Sequence, residues 1–212
     1  MVAATLRRLG ATVVLACMAA APVHAADPVG LRILPQATPE HHFGGWRSEG
    51  PLIGDAVVPL ELGDAIDGAT LQLEPADPQA RHRVRVQYET SLLLSDEGPH
   101  LDLEEWKHCR SGWEDAAPLD GTPHAFVLPV ATPEQQACFP DYSQAELERA
   151  IAAHPLIGDD PDALQRWIAV SRRPERMAHV AVISTIRVRI EVLRDGRWSE
   201  ATTVDFKPPL GC

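Results

Sequence analysis

The chain has 212 residues, of which 45% are hydrophobic and 23% are charged, and its formal net charge is −11 at pH 7. This composition excludes a disordered chain and a collagen-like repeat. The acidic excess argues against nucleic acid as a partner, because the neutralisation of phosphates requires a basic surface. The length suits one domain of ordinary size with a hydrophobic core.

The first 25 residues have the pattern of an export signal. Two arginines precede an uncharged, mostly apolar run at 9–21, and small residues lead up to Ala25, where a signal peptidase would cleave. The apolar run is too short to span a bilayer, which requires about 20 residues. We therefore predict a signal peptide over 1–25, a mature chain over 26–212, and a periplasmic or secreted location.

Cys17 leaves an alternative open. The three residues before it, Val14-Leu15-Ala16, are similar to a bacterial lipoprotein cleavage site, although Leu15 stands where a smaller residue is more usual. Lipid on Cys17 would make the protein an anchored envelope protein. Without that lipid we expect no insertion into a membrane.

Residues 35–59 are rich in Pro, Gly and His and show neither helical nor strand periodicity, so they predict an irregular arm. The arm contains His41 and His42. Adjacent residues of an extended chain point to opposite sides, which makes these two histidines poor joint ligands for one ion.

Alternating apolar and polar residues predict a long, half-buried strand over 83–94. Shorter strands are predicted at 30–34, 57–62, 70–73 and 125–130. Period-2 patterning with many β-branched residues is typical of antiparallel sheets that have one face in the core.

A dense polar segment follows this long strand at 97–109. Strand ends are frequent places for binding or catalytic groups, and imidazole and carboxylate groups suit zinc or a similar cation. The candidate metal or acid/base residues are Glu97, His100, Asp102 and His108.

The same segment has a structural interpretation as an acidic turn that leads into a short helix. In that interpretation Trp106 and Trp113 pack in the core and the charged groups lie in water. The two histidines are eight residues apart with no HxH or HxxxH pair, which favours the structural interpretation.

Three cysteines remain after residues 1–25 are removed, and an exported chain meets an oxidising compartment. We predict a disulfide between Cys109 and Cys138, which flank the entry to the predicted helices. A loop of that size adds roughly 3–4 kcal/mol in the chain-entropy model. Pairing of either residue with Cys212 stays open, and one thiol is left over.

Residues 133–173 predict a helical insertion of two helices. Ser143 and Glu146 match a capping box at the start of the first helix, which ends before Pro155. Asp160 and Pro161 cap and open the second helix, which runs to about residue 171. Each helix has one apolar side, so we expect both to pack on the sheet.

A second alternating pattern predicts a long strand over 180–192. The dipeptide Asp195-Gly196 then predicts a two-residue hairpin turn, because both central positions of that turn require positive φ. The return strand is predicted over 197–206.

Four arginines fall on one face of the two long predicted strands: Arg83, Arg85, Arg187 and Arg189. We expect them to pair across strands with acidic side chains, in particular Glu89 and Glu191. The alternative is a basic stripe that recognises an anionic partner.

Strands, then helices, then strands predict a mainly β fold, a single antiparallel β-sandwich-like domain with a small two-helix insertion. The sequence contains no GxSxG, SxxK, HExxH, P-loop or GxGxxG motif. We therefore expect no catalytic residue and no cofactor. The predicted function is a non-catalytic binding or structural module of the bacterial cell envelope, with a protein or small molecule as ligand. The alternative is a secreted metal-dependent or acid/base hydrolase that uses the residues of 97–108.

Overall fold

The computed structural model describes residues 29–34, 51–61, 64–96, 98–158, 160–173 and 178–209. In these ranges the chain is mainly β. The strands are β1 (Gly30–Leu34), β2 (Ala56–Pro59), β3 (Thr70–Glu74), β4 (His82–Ser95), β5 (His100–Asp102), β6 (Cys109–Arg110), β7 (Glu114–Asp115), β8 (Ala117–Pro118), β9 (Ala125–Val127), β10 (His179–Arg194) and β11 (Arg197–Lys207). The helices are α1 (Pro133–Gln136), α2 (Gln144–Ala152) and α3 (Pro161–Ser171).

The strands form two sheets. The smaller sheet has the order β1-β3-β9-β8, and the larger has the order β2-β11-β10-β4-β5, with β6 and β7 paired to other stretches of β4. Pairing is antiparallel except between β2 and β11, which run parallel. The structure confirms the predicted mainly β, sandwich-like fold with antiparallel sheets.

The long strands β4 and β10 form the centre of the larger sheet. Val86 lies opposite Val188, and the register shifts between Ile183 and Thr185, at a β-bulge. Asp195 and Gly196, which connect β10 to β11, have φ values of 50° and 75°. The predicted hairpin turn is therefore confirmed, with positive φ at both central positions.

One face of β4 and β10 carries two apolar clusters. Val86 and Tyr88 pack in the first cluster, which the smaller sheet covers. Leu92 and Leu94 pack in the second cluster, which α2 and α3 cover. The helical insertion therefore packs on the sheet, as predicted, and the opposite face of β4 and β10, which we call the outer face, carries the charged side chains.

Several elements differ from the sequence prediction. The strand predicted at 57–62 is present as the shorter β2, which pairs with β11 and occupies the last residues of the arm predicted over 35–59, because Val57 and Val58 favour extended backbone. The turn predicted within 97–109 contains β5, which folds back on β4. The insertion has a third, one-turn helix, α1, which a capping box at Thr132 begins. The strand predicted at 125–130 ends at residue 127, two residues before Pro129.

Several sequence predictions lie outside the described residues: the signal peptide, Cys17, His41, His42, Glu97 and Cys212. In the part of the chain that the structure describes, no helix is both long enough and apolar enough to cross a membrane.

Candidate functional site

The described residues of the predicted metal or acid/base cluster lie beside two different stretches of β4. His100 and Asp102 lie together on β5, with 3.7 Å between His100 Nε2 and Asp102 Oδ2. Burial raises the pKa of the Asp102 carboxyl. These two residues pair with the end of β4, where His100 lies opposite Ser95.

His108 lies farther back along β4. Its neighbour Cys109 pairs with Thr90, five residues before Ser95. Since a strand advances about 3.4 Å per residue, the two pairing positions are about 17 Å apart. The fold therefore does not bring His108 to His100 and Asp102. Among the described residues, no group of three or more His, Cys, Asp and Glu side chains is placed to hold a metal ion.

His108 instead faces Glu89, a residue that the sequence analysis treated only as a partner for arginine. His108 Nδ1 lies 3.6 Å from Glu89 Oε1, and the Glu89 side chain is 11% exposed. Arg110 donates a hydrogen bond to the same carboxylate. A carboxylate beside an imidazole can orient it for proton transfer. Here, however, one oxygen of the Glu89 carboxylate already accepts a hydrogen bond from Arg110.

Two cysteines at disulfide distance lie next to this pair. Cys109 and Cys138 are at bonding distance, with 5.8 Å between their Cα atoms, which is the ordinary spacing of a disulfide. The Thr90 hydroxyl donates to the carbonyl of Cys138. The cysteine pair therefore connects the start of the helical insertion to the middle of β4.

The arginines of the outer face are paired with acids. Arg83 pairs with Glu191, Arg85 with Asp115, Arg187 with Asp205 and Arg189 with Glu200. The prediction of cross-strand pairing is thus correct for Glu191, whereas Glu89 pairs with Arg110 instead. Because each of the four guanidinium groups has a carboxylate partner, this face offers no unpaired basic stripe to an anionic ligand.

Two tryptophans lie among these ion pairs. The Arg83 guanidinium stacks over Trp198 at 4.7 Å from the ring centroid, and Arg189 stacks over Trp113 at 4.0 Å. The expected burial of Trp113 in the core is therefore wrong. The register places Trp113, which directly precedes β7, beside the charged side of β4, where its ring faces the guanidinium groups of Arg85 and Arg189.

Trp106 has a different environment, between the insertion and the sheet. Its ring meets Tyr142 at 5.4 Å and Phe139 at 6.1 Å between centroids. It is only partly buried against the second apolar cluster. The other part of the ring contributes to an open depression beside α2.

This depression, which we call the Trp106 groove, has two adjoining parts. The deeper part has a volume of about 220 Å³ and is lined by Leu103, Glu105, Trp106, Ala150, Ala153, His154 and Pro155. The shallower part has a volume of about 330 Å³ and is lined by Trp106, Glu146, Arg149, Ala150 and Ala153. The small side chains of Ala150 in α2 and of Ala153, which caps the C-terminus of α2, leave the space beside the indole ring.

Hydrogen bonds hold the polar groups of the groove in place. Glu146 accepts from the backbone and hydroxyl of Ser143, which lowers its pKa to about 2 and keeps it ionised. Lys107 Nζ lies 3.2 Å from Glu146 Oε1 and 5.3 Å from the centroid of the Trp106 ring. The Leu156 N–H donates to His154 Nδ1, so Nε2 carries the proton that is donated to the Asp102 carbonyl.

The sequence does not predict this groove. Trp106 was predicted to pack in the core, and its contacts with the second apolar cluster confirm that role in part. The sequence shows two alanines, Ala150 and Ala153, three residues apart at a predicted helix. It does not show which aromatic ring packs beside them. Leu156, the residue after the lining residue Pro155, is 83% exposed, which no periodicity predicts.

Comparison of the chain with known protein families, with curated proteins and with solved structures found no match in any of the three.

Proposed function

We propose that this chain is an exported, non-catalytic binding module of the bacterial cell envelope, and that its ligand occupies the Trp106 groove. The observation that carries the proposal is the combination, at one surface, of a partly exposed indole ring, two alanines and a rim of charged groups. Concave apolar surfaces with a few fixed polar groups are the usual form of ligand sites.

Two observations support export. The N-terminal 25 residues have the charge and hydrophobicity pattern of a signal peptide. Cys109 and Cys138 lie at disulfide distance, and stable disulfides are typical of compartments outside the cytoplasm. The periplasm is therefore the compartment that we propose, with secretion or a lipid anchor at Cys17 as alternatives.

The binding proposal can be tested by NMR with isotope-labelled protein and a panel of neutral cyclic fragments, such as indole and cyclohexanol. We expect the amide signals of Trp106, Ala150 and Ala153 to shift on addition of fragments. Ala153→Leu should remove these shifts by filling the groove. Ala152→Leu is the matched control, since Ala152 is exposed on the same helix and does not line the groove.

A hydrolase is the second candidate function, and the Glu89–His108 pair is the observation that favours it. Ester, glycoside and peptide substrates would be offered to the wild-type protein and to His108→Ala. Turnover that His108→Ala abolishes, together with unshifted groove signals, would contradict the binding proposal. Fragment binding without turnover is the result that we expect.

A further inference from the structure

We infer that the ligand of the Trp106 groove is a polypeptide segment that inserts one aliphatic or aromatic side chain beside Trp106 and places a basic residue against Glu105. This inference rests on the proposed function, because it names the ligand class of the same groove. Size, surface chemistry and charge each contribute to it.

The dimensions favour an inserted side chain. The deeper part of the groove, about 220 Å³, has room for one large side chain. The shallower part, about 330 Å³, adds volume in the range of small-molecule pockets, but it is an open surface over Ala150 and Ala153 that does not enclose a ligand. A depression that holds one large side chain and continues along a helix has the form of an anchor position in peptide recognition.

The apolar surface extends beyond the groove itself. Pro155 lines its deeper end, and the next residue, Leu156, is 83% exposed. An aliphatic side chain in water, one residue after the lining residue Pro155, offers contact area to a ligand that extends past Pro155. An extended segment can bury Leu156 while its anchor side chain contacts Trp106.

The charges of the rim favour a basic flank at the deeper end. Glu105 is exposed and has no ion-pair partner among the described residues. Lys107, the nearest lysine in sequence, is bound to Glu146 and to the Asp141 carbonyl. Both ring nitrogens of His154 are used by backbone groups. Glu105 therefore keeps its negative charge available to a ligand.

The opposite end of the groove has the opposite charge. Arg149 lines the shallower part, and in the described structure it donates to the Ala145 carbonyl but has no carboxylate partner. A basic residue of the ligand is therefore favoured at the Glu105 end and disfavoured at the Arg149 end. The net charge of −11 adds a long-range attraction for a cationic segment.

The test uses three blocked five-residue peptides, whose binding is followed by the same amide signals. The first has leucine in the centre and a single arginine at one end, the second replaces leucine with alanine, and the third replaces the arginine with glutamate. We expect the alanine and glutamate peptides to bind about tenfold more weakly than the first, since the anchor and its charged flank carry most of the affinity.

Variants of the protein test the same contacts between the groove and the peptide. Glu105→Gln should weaken binding of the arginine–leucine peptide by about fivefold at low salt. Asp120→Asn removes an equal charge from an exposed turn away from the groove and should leave binding unchanged. Ala153→Leu should abolish binding, whereas Ala152→Leu should not.

Other outcomes separate this inference from the proposed function. If neutral fragments bind in the groove but none of the peptides does, or if the glutamate peptide binds as well as the arginine peptide, the peptide inference is wrong and the binding function stands. A concentration-dependent dimer in sedimentation that Ala153→Leu disrupts would show that a second copy of the chain is the occupant, which also overturns the inference. If neither fragments nor peptides shift the groove signals, both proposals fail.

Discussion

His179, at the beginning of β10, shows how one side chain connects the insertion to the sheet. Its Nδ1 lies 3.1 Å from the Tyr142 hydroxyl, and burial lowers the pKa of the imidazole below its ordinary value. Burial therefore favours the neutral form of the ring at this position.

This environment predicts a pH dependence of stability. Because the folded-state pKa of His179 lies below the unfolded value, the unfolded chain binds more protons as the pH falls through about 6.5. The free energy of unfolding should therefore decrease from pH 7.5 to pH 5.5. The difference in this decrease between the wild type and His179→Gln, measured by urea denaturation, isolates the contribution of His179.

An NMR titration of the imidazole checks the same point directly. The midpoint of His179 should lie below 6.5 in the folded protein. A midpoint above 6.5, or an identical pH dependence in His179→Gln, would show that burial does not lower the pKa of this ring.

At the scale of elements, the helical insertion is attached to β4 at its beginning and through its apolar faces. The cysteine pair and the hydrogen bond from Thr90 to the Cys138 carbonyl hold the chain just before α2. The buried residues Leu147 and Ile151 of α2, with Trp167 of α3, then pack on the second apolar cluster.

Removal of the disulfide should destabilise this attachment. The two cysteines are separated by 29 residues, and closing a loop of this size contributes roughly 3–4 kcal/mol in the chain-entropy model. We expect Cys109→Ser with Cys138→Ser to lower the free energy of unfolding by about that amount. Non-reducing peptide mapping of the wild type should find Cys109 linked to Cys138, and a link of either residue to Cys212 would contradict the assignment.

Trp106 should matter more to stability than the histidine and aspartate of β5. Truncation of a large, partly buried ring costs about 2–4 kcal/mol, whereas changes to partly exposed polar groups usually stay within about 0.5 kcal/mol. Trp106→Ala should therefore lower the melting temperature far more than His100→Ala or Asp102→Ala. The opposite order, or a stoichiometric metal that His100→Ala loses, would show that the cluster has a functional role.

The elements of this fold were predictable where local chemistry determines them. The alternation in β4 and β10, the Asp195-Gly196 turn and the caps at Ser143 and Asp160 act within a few residues, so the sequence predicts them directly. β6 and β7 are two-residue strands whose existence depends on β4 as a partner. The residues of β6 and β7 themselves show no alternation of apolar and polar side chains.

The site was less predictable, because its contacts also depend on residues that are far apart in the sequence. Glu89 meets His108 and Arg110 because β4 and β6 pair in one register, and Trp106 meets Ala150 and Ala153 through packing of α2 on the sheet. Both arrangements combine residues that are tens of positions apart in the sequence. A single sequence identifies the residue types but not these neighbours.

At the scale of the whole molecule, the sheet formed by β4 and β10 contributes to two apolar clusters. The smaller sheet covers one part of their inner face and the helices cover the other. The ion pair between Lys207 and Glu104 joins the end of β11 to the loop after β5. The smaller sheet and the helices therefore both pack on the larger sheet.

The mature form of the whole molecule is a separate prediction. If the signal over 1–25 is removed by the ordinary route, the intact mass of the exported protein should correspond to a chain that begins at Ala26. Mass spectrometry of protein purified from the envelope fraction checks this. A mass that includes lipid on Cys17 would replace the prediction with an anchored form.

The pairing of β4 with β10 has a consequence for the order of synthesis. Val86 and Val188 are 102 positions apart, and β4 has no partner on its β10 side until the last part of the chain has left the ribosome. Contacts of such long range form slowly compared with local ones. A nascent chain with this topology therefore stays without a closed core for most of its synthesis, and the export that we propose, if it occurs in extended form, has that interval in which to begin.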